Sequence, residues 1–232
     1  MAATSEGSSG RTIQLPGAEA GSGAFEEILR RRRAVRRFTD TPLKLEDVAK
    51  LLFAGQGVTG RHGGRTTPSA GALHPLEILL VAGNVEGLEP AVYRYQPDEH
   101  SITMISEGDK RTEIGGACLG QTWMAKAQCI VVVSAFYERT ASKFGKREEQ
   151  DQQATPDELV YEIALAQYGG QAVEFANIEA GCAAQNINLQ AVALGLGSGT
   201  VGAYFGQELG KALNVEKGEY PVVVLPVGKP AI

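Results

Sequence analysis

Cysteine and histidine are both scarce in this sequence, with three of each in 232 residues. Cys118, Cys129 and Cys182 form no CxxC pair and cannot all close into internal disulfides. That excludes a disulfide-stapled scaffold and fits a reducing cytoplasm. With so few soft ligands, none of them clustered, no metal site is expected. No apolar run reaches the ~18 residues of a membrane-spanning helix. Residues 1–23, rich in Gly, Ser, Ala and Thr, lack the apolar centre of a signal peptide and read as a flexible tail. An excess of basic residues is missing too: 22 Lys+Arg stand against 27 Asp+Glu, a net charge of −5. Neither a nucleic-acid partner nor a membrane surface is expected from that balance.

Glycine is in surplus. The chain has 29 in 232 residues, about 12.5%, against ~7% in an average protein. No collagen-like period accounts for it. Six glycines fall in 55–71 and six in 195–210, so the excess belongs to turns or to backbone that approaches a ligand. Residues 24–232 read as one domain. A helix is expected from Ala24, capped by Ser22, with Phe25, Ile28 and Leu29 on its apolar face, Glu26 and Glu27 in its first turn and arginines in its last. A second runs from Leu45 to Gly55 with Leu45, Val48, Leu51 and Leu52 inward. Residues 55–71 form a loop and 74–83 enter a strand. Residues 92–105 form a hairpin with QPDE as its turn. Residues 110–127 are expected to be helical and 129–136 a buried strand.

A polar insertion is expected at about 138–168, exposed over 138–154 and ending in a helix opened by the Thr155, Pro156, Glu158 capping box that runs to about Tyr168. Residues 172–194 form a long helix, 195–206 a glycine-rich loop, 207–214 a short helix and 220–227 a last strand. The hairpin and the late single strand break any βαβα rhythm, so the fold class is α+β rather than a doubly wound sheet.

Six arginines lie within 30–37, in RRRRAVRRF. Their planar, permanently charged forks suit a phosphate. A solvated helix C-terminus favoured by the macrodipole is the plain alternative, and a nucleic-acid patch a third. GSGTVG at 197–202 matches GxGxxG, but a helical pattern precedes it where a dinucleotide site needs a strand. A helix cap with a turn explains it as well, and a ligand-facing loop stays open. TTPSAGALHP at 66–75 combines small residues, two prolines and His74: either a surface loop or backbone amides offered to a flat or anionic ligand. In IEAGCAAQNINLQ, Cys182 is a buried structural thiol or a reactive one.

Four segments in order, RRAVRRF (32–38), PSAGALHPLEILLV (68–81), EAGCAAQNINLQAVALGLGS (179–198) and PVGKP (226–230), resemble the nitroreductase family of flavoproteins. The nearest branch is that of the SagB-type dehydrogenases and azoline oxidases. The resemblance covers about residues 24–230. It implies an α+β fold with a mainly antiparallel sheet flanked by helices, and a homodimer with FMN at the subunit interface. It also implies ping-pong transfer from NAD(P)H to a small acceptor such as a nitroaromatic or quinone, with the cofactor carrying the hydride and no side-chain acid or base required.

By that likeness Arg32, Arg33, Ala34 and Arg36 belong to the basic motif at the FMN phosphate and ribityl chain, joined by Lys229. Pro68, Ser69, Ala70, Gly71 and His74 belong to the loop that reaches the flavin from the partner subunit. Gln121 is an amide contact, and Glu179, Ala180 and Gly181 run past the ring with backbone donors. Leu196, Gly197 and Ser198 form a turn near the phosphate. The chain departs from the pattern at Ala34, where the family has serine, and at Cys182, where the branch often has histidine. The branch's lysine–tyrosine pair is reduced to Tyr168 after Gln167, and SKFGKR at 142–147 resembles a second copy through Lys143 and Phe144. Tyr168 and Lys143 are the candidates for side-chain catalysis. A dehydrogenase acting on a peptide azoline or another biosynthetic intermediate is the second enzyme reading, and a flavin-binding sensor is the non-enzyme one.

Overall fold

A computed structural model of the chain describes residues 23–60, 63–144 and 169–231. Six strands form one sheet, β1 (Leu76–Ala82), β2 (Ala91–Gln96), β3 (Ser101–Glu107), β4 (Cys129–Ala135), β5 (Gly197–Ser198) and β6 (Tyr220–Gly228), in the order β3-β2-β1-β4-β6-β5. Every neighbouring pair is antiparallel, so the α+β expectation holds. The helices are α1 (Ala24–Arg31), α2 (Leu45–Gln56), α3 (Arg111–Ala117), α4 (Tyr137–Phe144), α5 (Gly170–Ala193) and α6 (Gly206–Leu213). Among the described residues no helix is long and apolar enough to cross a membrane.

The central strands read LEILLVA and CIVVVSA because both faces of the sheet are covered, which favours continuous apolar runs over alternation. On one face Ile78, Leu80, Val131 and Val133 pack with Leu51 and Leu52 of α2 and Ile187 of α5. On the other, Leu79, Val81, Ile130 and Val132 pack with Ile114 of α3 and Leu209 and Leu213 of α6. The alanines of α5, among them Ala176, Ala180, Ala183 and Ala191, are fully buried. Small side chains let this 24-residue helix lie close to the sheet and to α2, where a Cβ on Gly55 would come within 3.1 Å of Ile187.

Three expectations change. Leu45 opens α2 but is 39% exposed; only Val48, Leu51 and Leu52 of the expected inward set are buried. The stretch 110–127 is not one helix. Leu119 (φ 56°) and Gly120 (φ 72°) turn left-handed, and a 3-10 turn, Thr122–Lys126, follows. The expected polar stretch begins inside α4, where Glu138, Arg139, Ser142 and Lys143 are exposed but Thr140 is buried; just before it, the Tyr137 hydroxyl donates to Asn177 Oδ1 of α5 at 2.9 Å. Thr155, Pro156, Glu158, Gln167 and Tyr168 lie outside the described residues.

The sheet is extended at its β5 edge by the arginine segment. Ala34 pairs with Ser198 in parallel and Phe38 with Pro230 antiparallel. Val35 N donates to Ser198 O at 2.9 Å, Thr39 N to Lys229 O at 2.9 Å and Ala231 N to Arg37 O at 3.0 Å. These pairings carry the basic stretch to the end of β6.

Candidate functional site

Two groups of side chains gather around α5. The first lies at the β5 edge. Asn188 of α5 accepts from Ser198 Oγ at 2.6 Å and donates to Thr200 Oγ1 at 3.2 Å, which fixes the glycine-rich segment against the helix. Gly197 permits the approach of the arginine strand: a Cβ there would lie 2.6 Å from Val35. Gly199 does the same for Trp123, whose ring carbon would be 2.8 Å from an added Cβ. Across this edge run Arg32, Arg33, Ala34 and Arg36, with Lys229 paired alongside. Leu196, Gly197 and Ser198 sit beneath them and are buried.

The six arginines divide by role. Arg30 pairs with Glu27 at 3.0 Å. Arg33 NH1 donates to the carbonyls of Arg30 and Arg32 at 2.7 and 2.8 Å. These satisfy oxygens left over at the C-terminus of α1, the role that the helix-end reading gives to Arg33. Arg36 holds its guanidinium 5.9 Å from the centroid of the Trp123 ring, which stacks in turn on Phe38 at 6.3 Å. Trp123 Nε1 donates to Gln121 Oε1 at 3.2 Å, leaving the Gln121 amide nitrogen as a donor. Arg32, Arg36, Arg37 and Lys229 have no carboxylate partner among the described residues. An unneutralised set of cations on neighbouring paired segments could hold an anion.

The second group forms where loop 68–74 meets α5. Ala70 N donates to Glu179 Oε1 at 2.7 Å, and the nearby Ser69 hydroxyl favours the charged form of the same carboxyl. His74 N donates to Ser69 Oγ at 2.9 Å. The loop is further tied down where Asn186 Nδ2 donates to Thr66 O at 3.1 Å. Glu179 is 5% exposed, and its Oε2 is buried with no partner among the described residues, as is His74 Nδ1. Burial pushes the Glu179 carboxyl above its ordinary value against the pull of the Ala70 and Ser69 donors. Burial first, and then the nearby charge of Arg65, holds the His74 imidazole below its ordinary value, against a pull from Asp98.

Glu179, Ala180 and Gly181 lie well inside α5. Their backbone N–H groups belong to the helix ladder, so the backbone donors expected there are already committed. The segment offers the bare, exposed surface of Gly181 and the Glu179 carboxyl instead. Glu179 and Asn188 are nine residues apart, about 13 Å along the helix, so a single chain keeps the two groups apart.

Pro68 and Gly71 are exposed, and the Lys143 amine lies against Gly71, 2.8 Å from where a Cβ would stand. Cys182 is half-buried. Burial raises Cys118 to about 11 and Cys129 to about 12, too high for a reactive thiolate. Sequence reasoning missed Trp123, although the chain's one tryptophan, two residues after Gln121, is a signal in itself. It also missed Arg94, which makes 3.1 and 2.6 Å bonds to the buried carboxylate of Glu219; 125 residues separate the pair, and nothing local announces it.

The sequence pattern of the Nitroreductase family matches residues 29–229. Protein MJ1384 of Methanocaldococcus jannaschii, provisionally designated a nitroreductase, is 36% identical over 217 residues, 94% of this chain and 96% of that protein. Among solved structures, a protein from Anabaena variabilis, also provisionally designated a nitroreductase, superimposes with a TM-score of 0.69 at 22% identity over 89% of this chain. The present chain spans 38% of that longer one. The E. coli microcin synthetase complex McbBCD superimposes with a TM-score of 0.72 at 19% identity, over 100% of this chain and 79% of the matched one. At these identities the two structures speak for the shared fold. The family pattern and the archaeal relative reach further, over nearly the whole described chain: it is a member of the nitroreductase family.

Proposed function

We propose that this chain is an FMN-dependent oxidoreductase that takes hydride from NAD(P)H and delivers it to a small acceptor of nitroaromatic or quinone type, in two half-reactions over one open face. The observation that carries this reading is the row of cations at the β5 edge with no carboxylate partner among the described residues. The residues present fit the group: Arg32, Arg36 and Lys229 would hold its phosphate, and the Gln121 amide would donate to its polar rim. Small residues in loop 68–74 and at Gly181 leave room for a flat ring. When bound, FMN supplies the two-electron chemistry at its N5 position. The chain's own part is to fix the phosphate and seat the ring. Comparing FMN with riboflavin tests the phosphate assignment: FMN binds at least about tenfold tighter if one charge-assisted contact is real, and equal affinities would contradict it.

A homodimer belongs to the same proposal. Helix α1 buries none of its residues, and Phe25 and Leu29 are 57% and 44% exposed. Beside it Phe25, Ile28, Phe53 and Leu189 line an apolar groove of about 320 Å³. A second copy would cover this surface and bring its loop 68–74 to the cations of the first.

The position of Lys143 against Gly71 favours one second reading, dehydrogenation of a peptide azoline with Lys143 beside the reacting ring. Oxidation of a thiazoline peptide that disappears in Lys143→Ala would support it; turnover unchanged in that variant would remove it.

A further inference from the structure

Loop 69–74 is held in a costly backbone conformation. Gly71, Ala72 and His74 have φ of 63°, 56° and 46°, and only the glycine enters the left-handed region without a Cβ penalty. Inside the loop, Ala72 N reaches Ser69 O at 3.1 Å and His74 N reaches Ser69 Oγ at 2.9 Å. From outside, Arg139 NH1 donates to His74 O at 3.0 Å. The tie to the central helix is Glu179, whose Oε1 takes the Ala70 amide at 2.7 Å.

Glu179 is expensive to keep. It is a buried carboxyl with one oxygen, Oε2, unpartnered among the described residues. Burying such a group with half its bonding capacity unused works against stability, and a leucine would fill the same space among the alanines of α5 at no such cost. The return on that cost is the grip on Ala70, 109 residues away in sequence.

We propose that Glu179 is a positioning residue that latches the strained 69–74 loop onto α5 and so sets the shape of the loop that meets the cofactor. Its effect on the site rests on the FMN reading above; the latch itself does not.

Hydrogen exchange on the full chain, with and without FMN, tests both parts in Glu179→Leu, Glu179→Ala and Glu179→Gln. Glu179→Leu speeds exchange across 69–74 by at least about tenfold, with β1, β4 and the rest of α5 unchanged. FMN affinity falls by about the same factor. Glu179→Gln keeps an acceptor for the Ala70 amide and stays within about threefold on both measures. That rescue separates a grip from a general packing effect. Glu179→Ala removes the same acceptor without added bulk, loosens the loop to a similar degree, and decides the matter if Glu179→Leu fails to fold. Unchanged loop exchange in Glu179→Leu, or in Glu179→Ala where that alone folds, overturns the latch. Faster exchange with unchanged FMN affinity overturns its role at the site. Glu179→Gln as damaging as Glu179→Leu shows that charge rather than grip matters, and overturns it too. If the wild type binds no flavin, the proposed function fails while exchange in the flavin-free protein still judges the latch.

Discussion

Arg36 lays its guanidinium over the ring of Trp123, 5.9 Å from the centroid, and this pairs a proposed phosphate ligand with the chain's one tryptophan. Any anion that draws Arg36 off or onto the ring changes the surroundings of the indole. Tryptophan emission therefore changes on FMN addition, and the change saturates with binding. Arg36→Ala lowers FMN affinity by about ten- to a hundredfold, the value of a lost charge-assisted contact. Lys229→Ala does the same. Fluorescence titration measures all three.

Arg33 gives the contrast. Its NH1 is committed to two carbonyls at the end of α1. Arg33→Ala leaves FMN affinity within about threefold and lowers stability by about 0.5–1 kcal/mol through the lost helix-end contacts. An FMN loss equal to that of Arg36→Ala would put Arg33 at the phosphate.

The seat of the arginine strand is itself testable. A Cβ on Gly197 would lie 2.6 Å from the Val35 side chain. Gly197→Ala lowers stability by about 1–3 kcal/mol, as overpacking does, and weakens FMN by displacing the strand. Val35→Ala in the same chain restores part of both, a coupling that a double-mutant cycle in chemical denaturation reads directly.

Glu179 predicts a pH signature. Its folded value is raised, so the native state holds the proton more firmly than the unfolded chain does. Its contribution to stability is present below the ordinary carboxylate value of about 4.3 and declines as pH rises to the raised value. At about pH 8, Glu179→Gln melts no lower than the wild type, and any gain closes below about pH 4, where both side chains are neutral. A variant that melts lower than the wild type at about pH 8 would show that the buried charge is net stabilising.

The apolar face of α1 predicts assembly. The wild type sediments as a dimer, and Leu29→Asp shifts it toward monomer. FMN affinity falls with it, because the proposed site is shared. A monomeric wild type carrying stoichiometric FMN would contradict the shared site.

What the sequence made legible is what local rules control. LEILLVA and CIVVVSA, short runs rich in Ile, Leu and Val, read as strands, and QPDE marked the hairpin turn that the structure shows at 97–100. The turn at Leu119 was not legible, because a leucine in left-handed backbone gives no local warning. Nor was the fate of Leu45, whose helical spacing points inward where α2 has no neighbour among the described residues to cover it. The arginine cluster looked uniform in sequence, and only the carbonyls at the end of α1 separate Arg33 from Arg36. The contact between Ala70 and Glu179 depends on how α5 crosses the sheet, a tertiary fact without a sequence period.

The central claim is tested most directly by anaerobic titration of the FMN-reconstituted protein with NADPH and with NADH, followed by addition of a quinone or nitroaromatic acceptor. The visible flavin absorbance should bleach with at least one nicotinamide and return when the acceptor is added, over many turnovers. Protein that binds FMN yet is reduced by neither nicotinamide would contradict the oxidoreductase reading and leave a flavin-binding sensor in its place.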